Sequence, residues 1–135
     1  MFEYFYNEIL RSCIIGFGSL FNGLEVQHTN DNGTQSIIQV PIAYGPTQKF
    51  LARLQQEAQL NRPVQMTLPR MSFEFTSLTY DPSRKTTKSQ SFLTTTPDGT
   101  EVKRVYAPVP YNMGFTLSIY TKLNDDMLQI VEQIL

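Results

Sequence analysis

Between Tyr111 and Leu135 the chain reads YNMGFTLSIYTKLNDDMLQIVEQIL, and its apolar period changes partway along. Tyr111, Met113, Phe115, Leu117 and Ile119 alternate with Asn112, Gly114, Thr116, Ser118 and Tyr120. A two-residue period puts the apolar set on one face of a β-strand and the polar set on the other. Beyond Asn124 the apolar residues Met127, Leu128, Ile130, Val131, Ile134 and Leu135 recur at helical spacing. At about 100° per residue they cover an arc of roughly 160°. Asn124 is the expected cap, and Asp125 and Asp126 place negative charge at the positive end of the helix dipole. A half-buried strand therefore feeds a capped helix with a wide apolar stripe. A helix this short is not stable alone. Its stripe needs a cover from the rest of the domain, another chain, or residues beyond this sequence. The stretch contains no evident reactive group, which points to a protein that works by contact.

The preceding chain supplies the partners for this unit. Asn7 is the expected cap of a first helix, whose face carries Ile9, Leu10, Cys13, Ile14, Phe17, Leu20 and Phe21. Gly16 and Gly18 weaken that helix unless they allow a close approach, and Asn22-Gly23 stops it. Leu24, Val26 and His28 then alternate with Glu25 and Gln27, and Asn30 to Gly33 is a hairpin turn signal. The return strand sets Ile38, Val40, Ile42 and Tyr44 on one face, but Pro41 confines it to an edge or interrupts it. Gly45 and Pro46 open a second helix with a stripe of Phe50, Leu51, Leu54 and Ala58, ended by Arg62 and Pro63. A β-region from Val64, disturbed by Pro69, alternates Met71, Phe73 and Phe75, and its parity shift at Leu78 and Tyr80 suggests a bulge. Asp81 to Thr100 is rich in Ser, Thr, Lys and Gln and reads as an exposed arm with a turn at Pro97-Asp98-Gly99. The arm as a whole spans roughly 81–106. The expected fold class is α+β: one domain over 1–135, an antiparallel or mixed sheet with helices on one face, and an extended β-arm.

Composition narrows the function. Charged residues are 17% of the chain, below the globular average of about 25%. Formal net charge is -1, so the chain as a whole is not a nucleic-acid or anionic-membrane binder by charge. The one cysteine excludes an internal disulfide and fits a reducing compartment. The opening lacks a basic segment followed by an apolar run, so no secretory signal is expected. The apolar run from Cys13 to Phe17 is far short of the about 20 residues of a membrane span.

No catalytic constellation emerges. His28, the single histidine, reads as a strand-end residue without a catalytic role, and Cys13 as a buried structural thiol. Asp125 and Asp126 point about 100° apart on a helix, which suits dipole stabilisation better than a metal or acid–base pair. Arg84, Lys85, Lys88, Lys103 and Arg104 concentrate positive charge at the two ends of the arm. Three readings stand: charges that keep an exposed β-arm from aggregating, a contact for an acidic protein surface, and a small nucleic-acid-binding module. Phe92 and Leu93 favour the protein contact, since apolar residues on a polar arm make anchors. The expected interface residues are Arg84, Lys85, Lys88, Phe92, Leu93, Lys103 and Arg104 on the arm, with Ile134 and Leu135 on the last helix. No cofactor or metal ligand is expected.

The opening FEYFYN, the VPIAY of Val40 to Tyr44, the LPR of Leu68 to Arg70 and the LSIYTKLNDDMLQIVEQIL of Leu117 to Leu135 resemble one family. It is the tail sheath stabiliser and completion proteins of T-even-like contractile-tailed phages. The segments keep the family's order over nearly the whole chain, and only Asp81 to Pro108 has no clear counterpart. The resemblance implies an α+β subunit of tail-terminator type, not an enzyme. It implies a hexameric ring at the head-proximal end of the virion tail, assembled in the host cytoplasm. Its partners would be further copies of itself, the tail sheath protein, the tail tube terminator and the neck proteins. Genome DNA would pass through the ring without specific binding, and no membrane is implied. Members of the family continue well beyond QIVEQIL, where this sequence ends, which fits a truncation, a short relative or a gene fragment.

Overall fold

The computed structural model describes residues 2–55 and 67–135. In chain order the elements are α1 (Ile9–Leu20), β1 (Glu25–Thr29), β2 (Gln35–Gln39), β3 (Ile42–Tyr44), α2 (Thr47–Gln55) and β4 (Arg70–Tyr80). A short 3-10 turn (Pro82–Arg84) precedes β5 (Ser91–Thr95), β6 (Val102–Tyr106), β7 (Tyr111–Tyr120) and α3 (Asn124–Ile134). The fold class is α+β, as expected. The chain forms two compact units, one of Met1–Phe75 with Phe115–Leu135 and one of Thr76–Gly114. Their boundary falls inside β4 and β7.

In the first unit β4 lies between β3 and β7. The β3 pairing is parallel, with Ile42 opposite Met71 and Tyr44 opposite Phe73. On the other side the Phe75 and Phe115 rings meet at 6.0 Å, and the Ser72 and Tyr120 hydroxyls at 3.1 Å. Numbers rise along one strand as they fall along the other, so β4 and β7 run antiparallel and the sheet is mixed.

The alternation of β7 sorts the packing. Leu117 and Ile119 pack against the buried cluster of Val26, Val40, Met71 and Ile130, which joins the β1–β2 hairpin, the sheet and α3. Phe115 faces α1, where the Phe17 ring stacks on it at 4.3 Å. The opposite face is not left to solvent. Tyr120 stacks on Phe50 of α2 at 6.0 Å, and Ser118 Oγ lies 2.9 Å from Thr47 Oγ1. Helices thus cover both faces of this sheet rather than one. Met71, Ser72 and Phe73 are accordingly all buried, and Ser72 is satisfied by the Tyr120 hydroxyl.

Pro41 acts as a switch. The hairpin runs antiparallel in register from Glu25↔Gln39 to Thr29↔Gln35, closed by a turn in which Gly33 has φ 75°. After Gln39 the chain leaves this sheet and re-enters the other as β3. The Pro41 carbonyl still accepts a hydrogen bond from Met71 N at 2.9 Å, so only the missing donor interrupts the ladder.

Several local expectations are corrected. Glu8, not Asn7, stands at the N-cap of α1, with φ 55° and no side-chain cap. Leu123, not Asn124, caps α3, again without a side-chain hydrogen bond. Cys13 is exposed rather than buried. The reason is that α1 packs through its C-terminal half. Phe17 touches Phe21, Phe73 and Phe115, while Ile9, Leu10 and Leu20 stay exposed. Gly18 permits this approach, since a Cβ there would lie 2.8 Å from the Phe73 ring; Gly16 meets nothing. In α2 only Phe50 is buried, and Leu51 and Leu54 are exposed. Ala58, Arg62, Pro63 and Val64 lie outside the described residues. The parity shift at Leu78 falls where β4 is no longer buried, so alternation there no longer reports an inner face.

Candidate functional site

The second unit is the arm. Its root is closed by Asp81 N donating to the Pro110 carbonyl at 3.1 Å, beside the edge-to-face rings of Tyr80 and Tyr111. Asp81 caps the 3-10 turn: its Oδ1 accepts from Ser83 N at 3.0 Å and Ser83 Oγ at 2.6 Å. Its Oδ2 accepts from Arg84 Nε at 2.6 Å. The Ser83 hydroxyl and then the Arg84 guanidinium hold this carboxyl far below the usual carboxylate range. Arg84 also donates to the Asn112 side chain, so its guanidinium is engaged within the arm.

Beyond this root β5 and β6 pair antiparallel, and Thr96 to Gly99 turns the hairpin with Gly99 at φ 66°. Cross-strand partners share a face. Phe92 pairs with Val105 and Thr94 with Lys103 on one face. Leu93 pairs with Arg104, and Ser91 with Tyr106, on the other. The predicted Phe92–Leu93 anchor is therefore split. Phe92 and Leu93 are 55% and 69% exposed, so both faces of this two-stranded sheet carry uncovered apolar surface. A lone two-stranded hairpin is marginal in water. Lys85, Lys88, Lys103 and Arg104 are exposed as expected. At the arm's root, Tyr80, Lys85, Lys88, Tyr106, Pro108 and Val109 line a groove of about 260 Å³.

The second surface is α3 with β1. Two glutamines one helical turn apart act as a substitute strand. Gln129 Oε1 accepts from Gln27 N at 2.9 Å, and its Nε2 donates to the Gln27 carbonyl at 3.1 Å. Gln133 Nε2 donates to the Glu25 carbonyl at 2.7 Å, and its Oε1 accepts from Glu25 N at 3.4 Å. The β1 edge away from β2 is thereby closed by side-chain amides. Beside this clamp His28 Nε2 lies 2.8 Å from Asp126 Oδ1, and Asp126 is buried. The aspartate is thus a packing partner of the hairpin as well as a first-turn acid of α3. Neither contact was foreseen. The spacing of Gln129 and Gln133 was visible, but their backbone partners lie about a hundred residues away in sequence. Replacing both glutamines with alanine should cost about 1–2 kcal/mol in urea unfolding, because water can satisfy the exposed β1 edge that they leave. No change in midpoint would show that the clamp contributes nothing.

The remaining predicted residues separate. Ile134 packs against the buried cluster, whereas Leu135 is exposed. Leu123, Met127 and Leu128 are also exposed, so α3 turns one apolar face inward and another outward.

Among the described residues no three His, Cys, Asp or Glu side chains are placed to hold a metal, and the notable features are uncovered apolar faces. Residues 4–135 match the T4-like virus Myoviridae tail sheath stabiliser family, and the chain belongs to that family of phage tail structural proteins. It is similar to the tail completion protein gp15 of Enterobacteria phage T4, with 34% identity over 141 residues. That alignment takes in 100% of this chain and 51% of the relative, so the chain spans about half the relative's length.

Proposed function

We propose that this chain is the ring-forming domain of a tail completion protein. It assembles as a hexamer at the head-proximal end of a contractile tail, in the host cytoplasm, and remains in the virion. There it caps and stabilises the extended sheath and tube and joins the tail to the neck. Its partners are the sheath protein, the tube terminator and the neck proteins, and genome DNA passes through the ring unread. It performs no catalysis.

The observation that carries this reading is the family membership over residues 4–135. The relative's name, tail completion protein, supports a terminal position on the tail. Exposed Ile9, Leu10, Phe92, Leu93 and Leu128 support a molecule whose surface is completed by neighbours. A heterologous contact that closes on itself covers such faces without producing fibres. The nucleic-acid reading loses support because Arg84 is engaged within the arm and Asp98 and Glu101 lie near its tip. Electron micrographs of the purified chain should contain six-fold rings. A monomer by light scattering at every concentration would remove the proposal.

A further inference from the structure

Two surfaces of this chain, one in each unit, are complementary. The first is the groove at the arm's root, where Tyr80, Tyr106, Pro108 and Val109 line the same space as Lys85 and Lys88. Its volume of about 260 Å³ has room for a branched aliphatic side chain. The second is the outward ridge of α3. Asp125, Leu128 and Glu132 follow one another at intervals of three and four residues, which lines them up on one face of α3. All three are exposed. The ridge thus presents acid, leucine, acid.

Charge favours the match. Thr76 to Gly114 carries Arg84, Lys85, Lys88, Lys103 and Arg104 against Asp81, Asp98 and Glu101, a formal +2. The whole chain is -1, so the remainder is -3. Internal pairing already uses Arg84 on the arm, through Asp81, and Asp126 on α3, through His28. Lys85 and Lys88 remain at the groove and Glu132 on the ridge, where the exposed Asp125 keeps its charge while its Oδ2 accepts a hydrogen bond from Gln129 Nε2 at 3.2 Å.

We propose that the groove receives the α3 ridge of a second copy, with Leu128 seated among Tyr80, Tyr106 and Val109 and the two acids set against Lys85 and Lys88. This is helix-in-groove recognition. Groove and ridge belong to different units, so each copy gives one surface and receives another. The contact is head-to-tail, and repeated with a closing rotation it makes a ring. The proposal rests on the ring reading above and supplies its subunit contact.

The test uses two charge-reversed forms of the full chain. One carries Lys85→Glu with Lys88→Glu, the other Asp125→Lys with Glu132→Lys. Each alone should self-associate about tenfold more weakly in sedimentation at low salt, since charged interface groups steer and select partners. An equimolar mixture should regain wild-type assembly, because every groove then meets a ridge of opposite charge in an alternating ring. The uncharged variant Leu128→Ala, at an exposed position that tolerates truncation, should weaken assembly by a similar factor. Wild-type assembly by either single form, or no recovery on mixing, overturns the groove contact while leaving rings in place. A wild-type chain that is monomeric at all concentrations overturns both readings. Normal rings from the lysine-reversed form, combined with lost attachment to another tail component, would assign the groove to that component and overturn the proposal.

Discussion

Replacing His28 with alanine is expected to destabilise the fold by about 3 kcal/mol, because it leaves a buried carboxylate without its partner. Asp126 is 3% exposed, and His28 Nε2 lies 2.8 Å from its Oδ1. The aspartate sits in the first turn of α3, where the helix dipole helps it, but that field does not replace a direct hydrogen bond. The cost should fall when the carboxylate is removed as well. His28→Ala with Asp126→Ala should therefore be less destabilising than the sum of the two single changes, and the double-mutant cycle should return a coupling energy above about 1 kcal/mol. Urea unfolding of the four proteins measures it. Strict additivity would mean that the contact carries no energy. The pair ties the hairpin to the first turn of α3, about one turn before Ile130, so its loss should also raise amide exchange in β1 and β2.

Excising the arm is expected to separate stability from assembly. Residues 82–109 would be replaced by Asn-Gly, joining Asp81 to Pro110. Those two residues already share a hydrogen bond of 3.1 Å, so the strands reach the junction at hairpin spacing. The buried cluster of Val26, Val40, Met71 and Ile130 lies wholly in the other unit. Unfolding free energy should change by no more than about 1 kcal/mol, since little buried surface is removed. Self-association, by contrast, should fall at least about tenfold, because the lysine-lined groove goes with the arm. Complementation of a phage defective in tail completion provides the second readout: the excised protein should fold and fail to stabilise tails. Unfolding of the excised protein would show that the arm contributes to the core. Normal tails would show that it is a solvated loop.

Both results depend on contacts of unequal visibility in the sequence. The strand over Tyr111 to Tyr120 was legible because alternation depends only on neighbours two residues apart. The turn at Asn30 to Gly33, the interruption at Pro41 and the helical period of α3 were legible for the same reason. Each follows from local backbone chemistry: a residue that tolerates positive φ, a missing donor, a repeated spacing. The arm was also legible, by its polar composition, although cross-strand register alone shows that Phe92 and Leu93 point apart.

By itself the sequence determined the kind and order of the elements, the α+β class and, through motifs spread from FEYFYN to QIVEQIL, the family. Which stripes are covered was decided by tertiary structure. The apolar faces of α1 and α3 look alike in sequence, yet α1 packs only through its half-buried Phe17 end and leaves Cys13 exposed, while α3 buries Ile130 and exposes Leu128. Asp126 and Gln129 read as ordinary helix-surface residues until His28 and the β1 backbone are placed against them. The physical reason is range. Periodicity and capping are set by groups within one turn or one pleat, whereas burial and polar satisfaction are set by whatever the fold brings from about a hundred residues away.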